Sequence, residues 1–518
     1  MAFLENGQDL LAKSLQQNER QLNKSLTLDS GGGLLTGQYM GGNLSNTTFD
    51  RLQKALVASP STPGGPGDGS SLIPQSLART LKNTTFKMRN VKFWKNIAKQ
   101  EAYAMEEEFD QILQYGTRGG IFSGAMQTPQ GNDSTFDRVQ VPMKYASTAY
   151  ATDIAIMATE VIGGSAEALQ INNATRYILG GVERNLFFGD STLNPTAWDG
   201  AKKQIENFAA TNGFSNIVID AGASPLTPDL LENAAQAIQD NAGDVEAGMH
   251  RVYMAPAVQS YWSKTYAPAQ RYAIDEVALR TEGALKVGTP VGGFNSTYGF
   301  LPFSNDIFLN LEFPITYTIQ NAPSIPTGVS AALNTSGSLT TGSKWQTPSS
   351  SSQYGVGYNG GPVTYIVAAV NSSGESEGSA ATTSVTVGAN ESVTVSWSRV
   401  TGTNGAAYYQ IYRSMNGGPN LPLTRVADAG TGVTQTFTDL NVTVAGTYDV
   451  FVINHDPEEG MVFKQLLPFF KWPLPIPALA RYFAVVLLGA PIIYVPSRCV
   501  LIKNVQVTGS DLSTVTLS

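Results

Sequence analysis

His250 and His455 are the two histidines of the chain, and Cys499 is its one cysteine. Proton transfer near neutral pH and zinc ligation draw first on these residue types. Two imidazoles far apart in sequence supply neither a His-Glu-x-x-His pair nor a Cys/His ligand set. His250 stands at the edge of an apolar stretch and reads as a packed polar residue. His455 falls in the turn Asn454-His455-Asp456-Pro457. A lone cysteine excludes an intrachain disulfide, which fits synthesis in a cytoplasm. Glu106-Glu107-Glu108 could pair carboxylates, but acid–base work needs two such groups facing a cleft at set separation. One face of a helix accounts for them better. Gly288-Thr289-Pro290-Val291-Gly292-Gly293 lacks the strand-then-helix setting that dinucleotide binding requires. Gly-x-Ser-x-Gly and phosphate-cradling Gly-x4-Gly-Lys motifs are absent. The sequence therefore assigns no catalytic residue, no cofactor and no metal.

With 518 residues, the chain predicts three or four domains at roughly 150 residues each. A charged fraction of 14% is low against about 25% for soluble domains. That suits a surface largely covered by partners, and a Ser/Thr/Gly-rich β domain would lower the figure too. Net charge is −8, which argues against a protein whose main task is gripping nucleic acid. Charge is nonetheless segregated: Arg79 to Lys99 is purely basic, and Glu101 to Asp110 purely acidic. This reads either as a solvated helix with charge-segregated ends or as a basic arm touching an acidic partner or packaged nucleic acid. Met1–Ser30 lacks an apolar signal core. The most apolar stretch, Tyr482 to Val495, holds 14 residues and Pro491, short of the about 20 a membrane span needs. It reads as a buried strand pair, so no membrane is expected.

Met1 to about Leu72, with its Gly/Pro/Ser runs, reads as an extended arm that orders only against something else. Val91 to Leu113 carries apolar residues at three-to-four spacing and predicts a helix. Ile121 to Ile156 alternates like a strand, and the turn Gly131-Asn132-Asp133-Ser134 divides it into a two-stranded ribbon. Ser165 caps a long helix ending near Gly189-Asp190, with Gly180-Gly181 inside it implying close packing or a bend. Asn216 to Val252 looks α/β, with Thr227-Pro228 opening a helix; Pro256 opens another, and Gly288 to Leu309 is a β segment. From Ala322 to Asn441 the strands Val363–Asn371, Ser392–Trp397, Tyr408–Arg413 and Gln435–Asp439 form an all-β sandwich pattern. Leu466 to Pro477 reads as irregular, and Ala484 to Val505 as strand.

This order of parts resembles the major capsid proteins of tailed bacteriophages, with their Hong Kong 97-type fold. The likeness gathers at Ile178-Leu179-Gly180-Gly181-Val182-Glu183-Arg184-Asn185-Leu186-Phe187-Phe188-Gly189-Asp190, closed by Pro195 and Trp198-Asp199-Gly200. It continues at Leu285-Lys286-Val287-Gly288-Thr289-Pro290-Val291 and at Leu487-Leu488-Gly489-Ala490-Pro491 with Val500–Val505. The resemblance implies an α+β fold. Residues 1–90 would be an N-terminal arm and 91–160 a helix and E-loop ribbon. Residues 161–321 would hold the spine helix with the peripheral and axial domains. Residues 322–441 resemble an immunoglobulin or fibronectin-III-like sandwich inserted into that body, and 442–518 would return to it. The implied protein is structural and catalyses nothing. It would self-assemble as hexamers and pentamers into an icosahedral shell around a double-stranded DNA genome contacted only non-specifically. Portal, scaffold and decoration or cement proteins would be its partners. It would reside in the virion after assembly in the host bacterial cytoplasm. The sandwich could bind host glycans or neighbouring subunits, or be a passive decoration. A tail or surface adhesin acting through the sandwich is the competing reading. The family's Lys–Asn crosslink is not assigned, although Lys144 lies near the ribbon.

Overall fold

The computed structural model describes residues 85–116, 121–122, 124–128, 131–158, 165–245, 249–270, 291–347, 359–475 and 479–507. All lie in the compact unit Thr80–Ser518. The expected arm falls outside the described residues up to position 84.

Val91 to Leu113 is not the expected helix. It breaks into α1 (Phe93–Asn96), β1 (Ala98–Glu101) and β2 (Glu106–Gln114). Exposure along β2 alternates residue by residue. The reason lies on the inner face. Phe109 meets the Tyr494 ring at 5.1 Å and Glu107 pairs with Lys464 at 2.9 Å. Contacts at i and i+2 on one side require a period of two. The apolar stripe is satisfied piecewise: Phe93 and Ile97 enter the main core, while Ala102 joins a small satellite core. Glu106, Glu107 and Glu108 therefore sit on a strand, with Glu107 facing opposite to its neighbours.

Strand β2 pairs antiparallel with β3 (Thr135–Pro142) as a two-stranded sheet. The ribbon thus runs from 106 to 142 rather than from 121 to 156. Strand β4 (Lys144–Asp153) leaves it, followed by α2 (Ile154–Ala158). β4 joins a four-stranded sheet in which the order is β1, Met461–Pro473, Ala480–Ile493, β4. The Pro-rich segment from Leu466 onward is therefore strand, not irregular chain. Proline removes a donor but is tolerated where one strand side is unpaired. β1 covers only Val462 to Gln465, and among the described residues no strand pairs that side of Pro468 and Pro473. The apolar run from Tyr482 is likewise one strand paired on both sides, not a strand pair.

Helix α3 (Ala166–Phe188) starts after Ser165 as expected, but the Ser165 side chain makes no capping hydrogen bond. A Cβ on Gly180 would stand 3.0 Å from Cζ of Phe86 and 3.3 Å from Phe308, so close packing explains that glycine. Then come α4 (Ala201–Asn212), β5 (Val218–Asp220), α5 (Pro228–Asp240), β6 (His250–Met254), α6 (Pro256–Gln270), β7 (Gly293–Ser296) and β8 (Gly299–Asn305). The Thr227 hydroxyl caps α5, accepting from the Leu230 N–H at 3.4 Å, with Pro228 in the first turn. A six-stranded sheet runs β5, Val500–Val505, Tyr448–Asn454, β6, β8, β7. Its core joins Phe187 of α3 to Tyr253 and Phe451 of the sheet.

Between β8 and the return strands, eight more strands form two sheets. One contains β9 (Ser330–Asn334), β13 (Ser392–Ser398) and β16 (Thr434–Asp439). The other contains β10 (Gly361–Asn371), β11 (Gly374–Glu375), β12 (Val385–Val387), β14 (Tyr408–Met415) and β15 (Leu421–Ala427). Trp345, Tyr365, Trp397 and Tyr409 fill a core of their own between them, and Phe313 packs against this core and the main one. The chain closes with β17 (Tyr448–Asn454), β18 (Met461–Pro473), β19 (Ala480–Ile493) and β20 (Val500–Val505).

Candidate assembly site

The ribbon has two unlike faces. Inward, besides Phe109 and Glu107, the Gln111 amide donates to the Tyr494 carbonyl at 2.5 Å. Outward, Glu106, Glu108 and Asp110 recur at every second residue, with Arg138 directly opposite Asp110. Toward the tip the outward side turns apolar: Ile112 and Phe136 face each other across the strands, and Tyr115, Ile121 and Phe122 follow. Phe122 is 91% exposed. Isolated two-stranded ribbons are marginal in water, and apolar clusters left open to solvent mark contact surfaces. Beneath the ribbon a half-open groove of about 500 Å³ is lined by Phe109, Val141, Trp198 and Phe208 among others.

The root of the ribbon is clamped to α3. The Phe93 and Trp94 N–H groups of α1 donate to the two Glu183 oxygens at 2.6 and 2.8 Å. Glu183 is fully buried, as is Asp306, which accepts from the Phe308 N–H at 2.9 Å. Burial pushes both carboxyls up, and for Glu183 the neighbouring Asp306 adds to the rise. Two carboxylates side by side out of water do not both ionise, so the pair holds one proton. Glu183 entered the sequence reading only within a motif. Its position one turn from Leu179 and Phe187 in an apolar stripe was the available signal. The adjacent Arg184 donates to the Phe308 carbonyl at 2.8 Å and pairs with Glu312 at 2.9 Å. At the end of α3, Gly200 donates to the Gly189 carbonyl at 2.9 Å. A Cβ there would lie 2.6 Å from the Asn185 carbonyl oxygen, so this turn admits only glycine.

Arg184 also ties the sandwich down. Glu312 takes Arg425 of β15 at 3.6 Å, and Tyr412 of β14 donates to Glu375 at 2.5 Å. Burial raises Glu375 to about 7, opposed by the Tyr412 hydroxyl and reinforced by Glu312. The outer face of this sheet is thus a charged joint with the body.

The histidines are packed residues. His250 shares a hydrogen bond of 3.0 Å with the Arg498 carbonyl. His455 shares one of 2.8 Å with the Tyr253 hydroxyl and lies edge-on to Phe93. Burial first, then the cations Arg251, His250 and Lys99, lower His455 to about 3. A depressed folded value means stability that is present above the ordinary value of about 6.5 and is lost as pH falls toward 3. Acid titration of unfolding should show a loss on the order of 5 kcal/mol across that window. His455→Gln should flatten it; an unchanged slope in the variant would contradict this assignment. Cys499 is buried, and burial pushes its thiol up to about 12, far from reactive. Lys144 donates to the Pro195 carbonyl at 2.8 Å. Of the Gly-rich stretch, residues 288–290 lie outside the described residues, and Gly293 opens β7. No group of three or more metal-ligating side chains occurs among the described residues, and no described helix is long and apolar enough to cross a membrane.

The described residues thus form a mixed α+β body with a two-stranded ribbon whose outer face is open to solvent. Over most of its length this chain is similar to major capsid proteins of phages. It is 24% identical over 463 residues to the "Major capsid protein" of Staphylococcus phage S25-3, covering 86% of this chain and 92% of the relative. The "Major capsid protein" of Staphylococcus phage K matches at the same identity and coverage. Among solved structures, the capsid of Myoviridae phage XM1 aligns with a TM-score of 0.41 and 10% identity, covering 85% of this chain and 99% of that one. The capsid of a native GTA particle aligns with a TM-score of 0.42 and 9% identity, covering 87% and 99%. No protein-family model matches the chain.

Proposed function

We propose that this chain is the major capsid protein of a tailed phage. In this reading it has the Hong Kong 97-type fold, and copies of it assemble as hexamers and pentamers into the icosahedral head around double-stranded DNA. Similarity reaching across 92% of proteins that bear that name carries the reading. The open ribbon and its exposed apolar tip support it, because a shell subunit gains stability from many shared contacts, each weak alone. In this account α3 is the spine, the β2–β3 ribbon is the E-loop, and residues 322–441 are an immunoglobulin- or fibronectin-III-like insertion. Assembly takes place in the host cytoplasm, with portal, scaffold and cement proteins as partners. A net charge of −8 suits a wall that encloses packed genome without gripping it. The protein acts structurally and not as an enzyme.

Deleting Ala322–Asn441 separates this from an adhesin. The shortened chain is expected to form closed particles at no less than about a third of the full-length yield, counted by negative-stain microscopy. Loss of host-cell binding by a chain that forms no particles at either length would point to the adhesin instead.

A further inference from the structure

Two patches of opposite charge stand exposed, one around α1 and one on the ribbon, and neither is fully neutralised among the described residues. Lys87, Arg89 and Lys95 are exposed around α1. Among the described residues none of their side chains has a carboxylate, hydrogen-bond or ring partner. The backbone beneath them is anchored: Phe86 packs edge-on to Phe308 at 5.2 Å, while Val91 and Phe93 are buried. These cations are held in place rather than swinging on a loose tail.

The outer face of β2 is the counterpart. Successive outward residues of a strand stand about 6.8 Å apart, and Glu106, Glu108 and Asp110 occupy three such positions in turn. One guanidinium serves them: Arg138 reaches Asp110 at 2.7 Å and Glu108 at 3.7 Å. Glu108 also accepts from the Gln140 amide at 2.7 Å. The Glu106 side chain has no partner among the described residues. The face keeps a negative surplus.

We propose that the acidic outer face of one copy's ribbon docks on the basic turn around α1 of a neighbouring copy. This deepens, and rests on, the shell-subunit reading. The two patches are different surfaces of the same chain, so the contact is head-to-tail. Such contacts propagate into rings or lattices instead of stopping at a two-fold dimer. Exposed pairs are individually weak, so the charges act mainly on register, partner choice and association rate. Repetition around a ring multiplies them. Duplex DNA would also satisfy the three cations, but it would leave the acidic face unanswered and be repelled by it. A second copy answers both.

Charge reversal in the full-length chain tests the docking. K87E/R89E/K95E reverses the turn; E106K/E108K reverses the ribbon and leaves the Asp110–Arg138 pair in place. Each set alone is expected to lower particle yield at least ten-fold near 50 mM salt, with far-UV circular dichroism and melting unchanged. The five substitutions combined, or an equimolar mixture of the two reversed chains, should restore yield to within about three-fold of wild type. The proposal is overturned if either reversed set assembles like wild type, or if folded single sets are not rescued by combination. It is equally overturned if the turn set lowers only the DNA content of otherwise normal particles. Should a reversed chain melt early, K87Q/R89Q/K95Q and E106Q/E108Q replace it, and a loss below three-fold in both counts against the docking. A wild-type chain that never assembles would instead remove the shell reading, and the docking with it.

Discussion

Replacing Glu183 with alanine is expected to lower the free energy of unfolding by about 3–5 kcal/mol. The backbone N–H groups of Phe93 and Trp94 both end on this carboxyl, across a sequence separation of about 90 residues. Each buried donor left without an acceptor costs about 1–3 kcal/mol. Denaturant titration followed by tryptophan emission is the measurement, since Trp94 lies at the disrupted contact. A loss under 1 kcal/mol would show that water replaces the carboxyl freely. The proton shared with Asp306 adds a pH signature. Both folded values are raised, so the native pair binds more protons than the unfolded chain. Its contribution is complete below the ordinary carboxylate range near 4 and declines as pH rises through the folded values. Asp306→Asn keeps an acceptor for the Phe308 N–H and a donor toward Glu183 without needing that proton. It should match wild type at acidic pH and exceed it at alkaline pH; parallel profiles would contradict the shared proton.

The second large effect lies inside the sandwich. Arg413 and Asp439 are 3% and 2% exposed and pair at 2.7 Å. Asp439 also accepts from the Tyr365 hydroxyl and the Asn441 N–H, each at 2.8 Å. Arg413 in turn donates to the Asn441 side chain at 2.9 Å and lies 4.7 Å over the Trp345 ring. Removing one partner of such a pair strands a charge out of water, at about 3–5 kcal/mol. Asp439→Ala should therefore melt the sandwich well before the body in a calorimetric scan. Asp439→Leu with Arg413→Met should recover much of the loss, because a well-packed apolar replacement avoids the desolvation cost. A double variant no better than the single one would contradict the assignment.

Elements whose signal is local were legible in the sequence. The start of α3 after Ser165, the Thr227-Pro228 start of α5 and four of the sandwich strands are each signalled within one segment, although only Thr227 makes the capping bond. Elements defined by distant partners were not. Residues 106–114 carry a spacing that fits either period. The choice fell to Tyr494 and Lys464, which lie hundreds of positions away. Leu466 onward looked broken by proline because nothing local shows that β1 stops at the register of Gln465 and leaves that edge open. The clamp has the same character: Glu183 stands in an apolar stripe, but only the fold brings Asp306 and the α1 amides to it. The sandwich's Ser/Thr-rich composition was readable, whereas its charged joint through Arg184, Glu312 and Arg425 was not, since those residues come from three separate segments.

In the proposed function, copies of the same chain complete this one. Sedimentation velocity of the purified full-length protein, with microscopy of the same sample, tests this most directly. A fast-sedimenting population of closed, angular shells should appear, growing with protein concentration and shrinking at high salt. A single slow species of monomer mass at every concentration and salt would contradict it.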